Sequence, residues 1–104
     1  MNEIELDFGI KCLSHSSQLI YTNEREISLE FSVPDEVLVL ADVKVNGNKK
    51  IEGLVKMQKN PLYTEIKVSL PVNYSSCNLD MFTKRGVESY QFLSKYKIIH
   101  ERKK

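Results

Sequence analysis

The alternation of residue types over the first dozen positions constrains this chain more than any other feature. Ile4, Leu6, Phe8, Ile10 and Cys12 alternate with Glu3, Glu5, Asp7, Gly9 and Lys11. A period of two puts one set of side chains on each face of an extended chain, so the segment predicts a half-buried strand of nine or ten residues. Ile27, Leu29, Phe31 and Val33 repeat the pattern against Ser28, Glu30 and Ser32. Pro34 ends that strand, because proline cannot donate to a ladder. Thr64, Ile66, Val68 and Leu70 alternate with Tyr63, Glu65, Lys67 and Ser69, up to Pro71. The short run 18–22 is expected to pair with the 27–33 strand through a turn at Asn23-Glu24.

Val37 to Val45 is apolar at nearly every position, which predicts a central strand covered on both faces. Asn46-Gly47-Asn48 predicts a hairpin turn, since Asn and Gly tolerate positive φ. Lys49 to Met57 is expected to return antiparallel with a bulge at Gly53, and Asn60-Pro61 marks the next turn. The C-terminal third is less regular. Residues 73–77 read as loop, and 79–82 as a short turn of helix or strand. Val87, Tyr90 and Leu93 fit a helix, whereas Phe92, Tyr96 and Ile98 fit a strand; the β-favouring types and the lack of alanine favour strand over 87–99. Residues 100–104 form a charged tail.

The fold class expected is all-β, with at most one short helix. Six to eight short antiparallel strands would close into a small barrel or sandwich. Its core would be built from Ile4, Leu6, Phe8, Ile10, Ile27, Leu29, Phe31, Val39, Ala41, Val43, Ile66, Val68 and Leu70. At 104 residues the chain makes one domain, 1–104, able to bury about two-thirds of its surface without metal or disulfide staples. No apolar run approaches the ~20 residues of a membrane helix. Met1 to Ile10 carries three acids where a signal peptide needs a basic start and an apolar run, so a cytoplasmic setting and no membrane partner are expected. Cys12 and Cys77 are then expected as unbonded thiols, Cys12 buried in the core and Cys77 accessible on a loop.

Catalytic and metal chemistry find little support. His15 and His100 come without Cys-x-x-Cys or His-x-x-x-His spacing, so no metal site is expected. Ten serines are present, none of them marked by a nucleophile elbow. Asp7-Phe8-Gly9 matches a three-residue kinase signature without any companion motif. Asn73-Tyr74-Ser75 is a glycosylation sequon without secretory context. Gly9, Gly47, Gly53 and Gly86 are isolated, so no phosphate loop exists. The expectation is a protein that is not an enzyme and holds no cofactor.

Charge carries the remaining signal. The net charge of +1 conceals a gradient: residues 1–42 balance to −7, residues 43–80 to +3 and residues 81–104 to +5. Acidic and basic strands paired across a sheet would explain it, as would a dipolar molecule whose basic side meets phosphate or an acidic partner. Lys84, Arg85, Tyr90, Phe92, Lys95, Tyr96, Lys97, Arg102, Lys103 and Lys104 interleave basic and aromatic side chains near the C-terminus. Lysines and arginines contact phosphates, and exposed tyrosines stack on unpaired bases. Tyr90 and Tyr96 are the candidate stacking platforms, and Lys84, Arg85, Lys95, Lys97, Arg102 and Lys103 the candidate phosphate contacts. Lys49-Lys50, Lys56, Lys59, Tyr63 and Lys67 form a second such region.

Ile4-Glu5-Leu6-Asp7-Phe8-Gly9 and Glu65-Ile66-Lys67-Val68-Ser69-Leu70-Pro71, with the small all-β plan, resemble PrgU-type accessory regulators of Gram-positive conjugative plasmids. The resemblance implies a PUA-like fold, RNA binding and restraint of adhesin expression from a mobile element. It carries over no binding residue, because no diagnostic motif anchors one. Two functions are therefore expected from the sequence. The first is a non-enzymatic regulatory module that binds single-stranded RNA through its basic, aromatic C-terminal segment. The alternative is a protein-interaction or structural accessory protein of a phage or plasmid, using an exposed sheet edge.

Overall fold

Two five-stranded sheets stack face to face in the computed structural model, which describes residues 3–47 and 49–101. The strands are β1 (Ile4–Glu5), β2 (Lys11–Cys12), β3 (Leu19–Thr22), β4 (Glu26–Ser32), β5 (Val37–Val45), β6 (Lys49–Lys50), β7 (Val55–Lys59), β8 (Thr64–Ser69), β9 (Ser76–Arg85) and β10 (Gln91–His100). The first sheet runs β1-β2-β4-β8-β7 and the second β3-β10-β9-β5-β6. The expected all-β class holds. Neighbouring strands pair antiparallel except β3, which runs parallel to β10.

The strands of the first sheet are the ones whose alternation is clean. Leu29, Phe31, Ile66, Val68 and Cys12 point inward with no measurable exposure. Glu26, Ser28, Glu30, Glu65 and Lys67 occupy the alternate positions, and the Ser28 hydroxyl donates to Glu65 Oε2 at 2.6 Å. The second sheet supplies Val43, Cys77, Leu79, Met81, Tyr96 and Ile98 to the same core. Phe31 meets Tyr96 edge-on, with ring centroids 5.9 Å apart, so this pair spans the two layers. Seven of the expected core residues are buried, and Ile4, Leu6, Phe8, Ile27, Val39 and Ala41 pack half-buried against them.

Several expectations need correction, beginning with the strands themselves, ten among the described residues where six to eight antiparallel ones were expected, with one pair parallel. The first long strand is broken. Asp7–Gly9 forms a 3₁₀ turn with Phe8 at φ 65° and Gly9 at φ 74°, and Leu6 N–H donates to Ile10 carbonyl at 2.7 Å. The segment thus folds back as a β1–β2 hairpin. A Cβ on Gly9 would lie 3.2 Å from Pro34 Cγ, so the close approach of Pro34 also selects glycine. Strand β3 pairs with β10 and not β4, because residues 23–25 form a corner that carries the chain between sheets. The β5–β6 pairing covers two register positions; a turn at Gly53, φ 84°, then takes the chain to the first sheet, where β7 pairs with β8 around the expected Asn60 turn. Strand β5 buries one face only, leaving Leu38 and Leu40 each 49% exposed. Cys77 lies inside β9, not on a loop, and has no exposure; it and Cys12 are free thiols. His100 also belongs to β10: its N–H donates to the Ser75 carbonyl and its ring meets Tyr74 at 5.1 Å.

Candidate binding face on the second sheet

The outer face of the second sheet is unlike that of the first. The register places its side chains in rows across the strands. Leu38 lies beside Lys84, whose Nζ sits 5.0 Å from the Tyr90 ring centroid. The next row is Leu40, Phe82 and Phe92, with the two phenyl rings edge-to-face at 5.9 Å. Then come Asp42, Asp80 and Lys95, followed by Lys44, Asn78, Lys97 and Leu19. Ser76, Ile99 and Tyr21 make the last row. Tyr21 and Phe92 are each 57% exposed, and no described strand lies over this face. An outward row of leucine and two phenylalanines is what a soluble domain ordinarily avoids unless something covers it.

Two orphan acceptors sit at the centre. Asp80 is 93% buried although it points outward, and only its Oδ2 has a partner, the Lys44 ammonium at 3.7 Å. Asp80 Oδ1 and Asn78 Oδ1 are both buried without a hydrogen bond. Buried acceptors of this kind are costly and mark places where a partner group is missing.

The structure brings together some of the expected contacts and separates others. Lys84, Tyr90, Lys95 and Lys97 share the outer face. Arg85 turns the other way, its guanidinium 5.4 Å from the Phe8 ring, so it ties the N-terminal hairpin to the end of β9. Tyr96 is a core residue with no exposure and offers no stacking platform. The reason is a bulge between Phe92 and Ser94, which inverts the alternation of β10 and turns Tyr96 inward. Burial, aided by the neighbouring Cys12 thiol, pushes the Tyr96 phenol well above its ordinary pKa. Arg102 and Lys103 lie outside the described residues. In the second basic region, Lys56 and Lys67 are register partners on the outer face of the first sheet, away from the others. Sequence reasoning missed Tyr21, Leu38 and Leu40 as surface residues, and named Phe92 in the basic, aromatic segment without choosing it as a stacking platform; an exposed Leu leaves no mark in a strand pattern.

Elsewhere, the Ser14 hydroxyl and His15 Nδ1 are 2.8 Å apart. Ser14 Oγ accepts the Glu30 N–H at 2.9 Å, which makes it a tie between the 13–16 bend and β4. Burial lowers the His15 pKa. Among the described residues no three His, Cys, Asp or Glu side chains are grouped as metal ligands, and no helix is long and apolar enough to cross a membrane. Clefts of about 220 and 200 Å³ open along the seam between β5 and the 51–59 segment of the first sheet. Comparison with protein-family models, curated proteins and solved structures finds no match.

Proposed function

We propose that this chain is a non-enzymatic protein-interaction module, and that the outer face of the second sheet is its docking surface. The observation that supports this reading best is the outward row Leu40–Phe82–Phe92, continued by Leu38. Apolar and aromatic side chains at the centre of a patch, ringed by charged ones, have the composition of protein interfaces. The acids of the face point the same way. Lys44 is engaged by Asp80, and Lys95 lies directly across the ladder from Asp80, so the lysines do not present an undivided basic surface. Two free, buried thiols fit a reducing, cytoplasmic setting.

A second reading, single-stranded RNA, keeps one specific support. Tyr21 and Phe92 stand exposed at opposite ends of the β10 side of the face, with Lys95 and Lys97 between them. That spacing, ~20 Å along the strand, suits a few unstacked nucleotides. Capture of partners from cell extract, with and without ribonuclease, separates the two. The protein reading expects partners that survive ribonuclease and are lost on Leu40→Asp. Partners that vanish with ribonuclease, and with Lys95→Ala plus Lys97→Ala, would replace it with the RNA reading.

A further inference from the structure

The arrangement of charge on β9 points to the occupant of this face. Lys84 and Asp80 lie two residues to either side of Phe82, so both share its face of the strand, ~7 Å away in opposite directions. We propose that a second copy of this chain docks on the face, with a two-fold axis passing across the strands at Phe82. The inference rests on the reading of the face as a protein-docking surface and names its partner.

An axis in that position brings each row onto its mirror row. The row Leu40–Phe82–Phe92 meets itself, which buries the apolar patch from both sides. Lys84 of each copy comes over Asp80 of the other, so the attractive pair forms twice. Tyr90 of each copy comes over Lys95 of the other, a cation–π pairing of the same type Tyr90 already makes with Lys84. The less matched pair, Leu38 over Asp42, falls toward the rim on β5. An isologous contact requires this kind of self-complementarity, residue i touching j and j touching i. Antiparallel alignment of the two sheets is the ordinary aligned mode of sheet packing.

The orphaned Asp80 Oδ1 supplies the second argument. In the single chain this buried carboxylate oxygen has no partner. No strand covers it, so the covering atoms are side chains of its own face, and long ones such as Lys44 and Lys95 can swing aside. An ammonium arriving from the second copy would satisfy it. An axis at Phe82 superposes three rows on three strands, Leu38–Lys84–Tyr90, Leu40–Phe82–Phe92 and Asp42–Asp80–Lys95, on the order of 300 Å² in projection, so the dimer is a small contact that forms at high concentration.

Sedimentation velocity on the full chain, at concentrations up to ~200 µM, tests the proposal and is expected to show a dimer. Lys84→Glu and Asp80→Lys should each sediment as monomers, because each sets like charges against each other twice. Mixed in equal amounts they should form a one-to-one heterodimer, since both cross-pairs then become attractive. Leu40→Asp, at a position already half in water, should weaken dimerisation at least tenfold with an unchanged far-ultraviolet spectrum, whatever the fate of the Asp80 variant. Lys56→Glu on the opposite face should leave the dimer intact. A wild-type monomer throughout the range overturns the proposal, as does a dimer indifferent to Leu40→Asp and to the charge reversals. If the wild type is monomeric while Leu40→Asp still abolishes capture of a different protein, the second copy fails as the partner and the docking reading survives. If neither occurs, both fail.

Discussion

The Tyr96 ring fills the centre of the core against Phe31, while its hydroxyl is buried without a hydrogen bond. The two halves of this side chain therefore act in opposite directions. The ring contributes apolar burial, and the unpaired hydroxyl costs free energy. Tyr96→Phe is expected to leave stability unchanged or raise it by up to about 1 kcal/mol, whereas Tyr96→Ala should cost about 3–5 kcal/mol. Urea unfolding at neutral pH checks both, and a large loss on Tyr96→Phe would mean the hydroxyl has a partner after all. Cys77 gives the matching case for a thiol. Burial pushes its pKa from 9.0 to about 11. In the native protein the thiol therefore keeps its proton where the unfolded chain has lost it. The resulting stability is fully present below the unfolded value and is lost as pH rises towards about 11. Between those limits the urea midpoint should fall, and Cys77→Val should flatten the decline. Native protein should also resist a thiol reagent at pH 8 until denatured.

Between single residues and whole strands stand the turns, where one side chain decides how an element ends. Asn46 follows β5 at φ 49°, a conformation other residues resist. Its Oδ1 accepts the Ser75 N–H at 2.7 Å, the Ser75 hydroxyl at 2.8 Å and the Ser76 N–H at 3.3 Å, so the end of β5 is tied to the start of β9. Asn46→Ala should lose both the backbone tolerance and these bonds, at about 2–3 kcal/mol, while Asn46→Gly should lose only the bonds and cost less. Equal losses in urea unfolding would show that the side-chain bonds carry the whole effect. The turn was legible in the sequence because Asn-Gly has one dominant use; its tie to residues 75 and 76 was not, because nothing local records it. The strands divide the same way. β4 and β8 were legible because their outer faces are polar and the alternation survives. β9 was not, because Phe82 faces outward between inward Met81 and Thr83, and apolar residues on both faces erase the period. In β10 the bulge at Leu93 shifts the phase, so the sequence alone cannot say which way Tyr96 points.

At the scale of the molecule, the gradient along the chain is largely folded away. The acids of β4 face the first sheet's exterior with Lys11, Lys56 and Lys67 among them, and the lysines of the second sheet surround Asp42 and Asp80. The two exteriors therefore differ less in charge than in apolar content. This difference makes salt a sharp discriminator. Docking of an apolar row should change little with ionic strength, because exposed charges contribute weakly and the buried area does not depend on salt. A single-stranded nucleic acid held by Lys84, Lys95 and Lys97 would instead lose affinity with a logarithmic slope of about −2, or ~100-fold for a tenfold rise in salt. Affinity for the captured partner is expected to vary less than tenfold over that range. Its loss should follow Leu40→Asp or Phe92→Ser. A steep salt dependence that Lys95→Ala and Lys97→Ala flatten would transfer the face from protein to RNA.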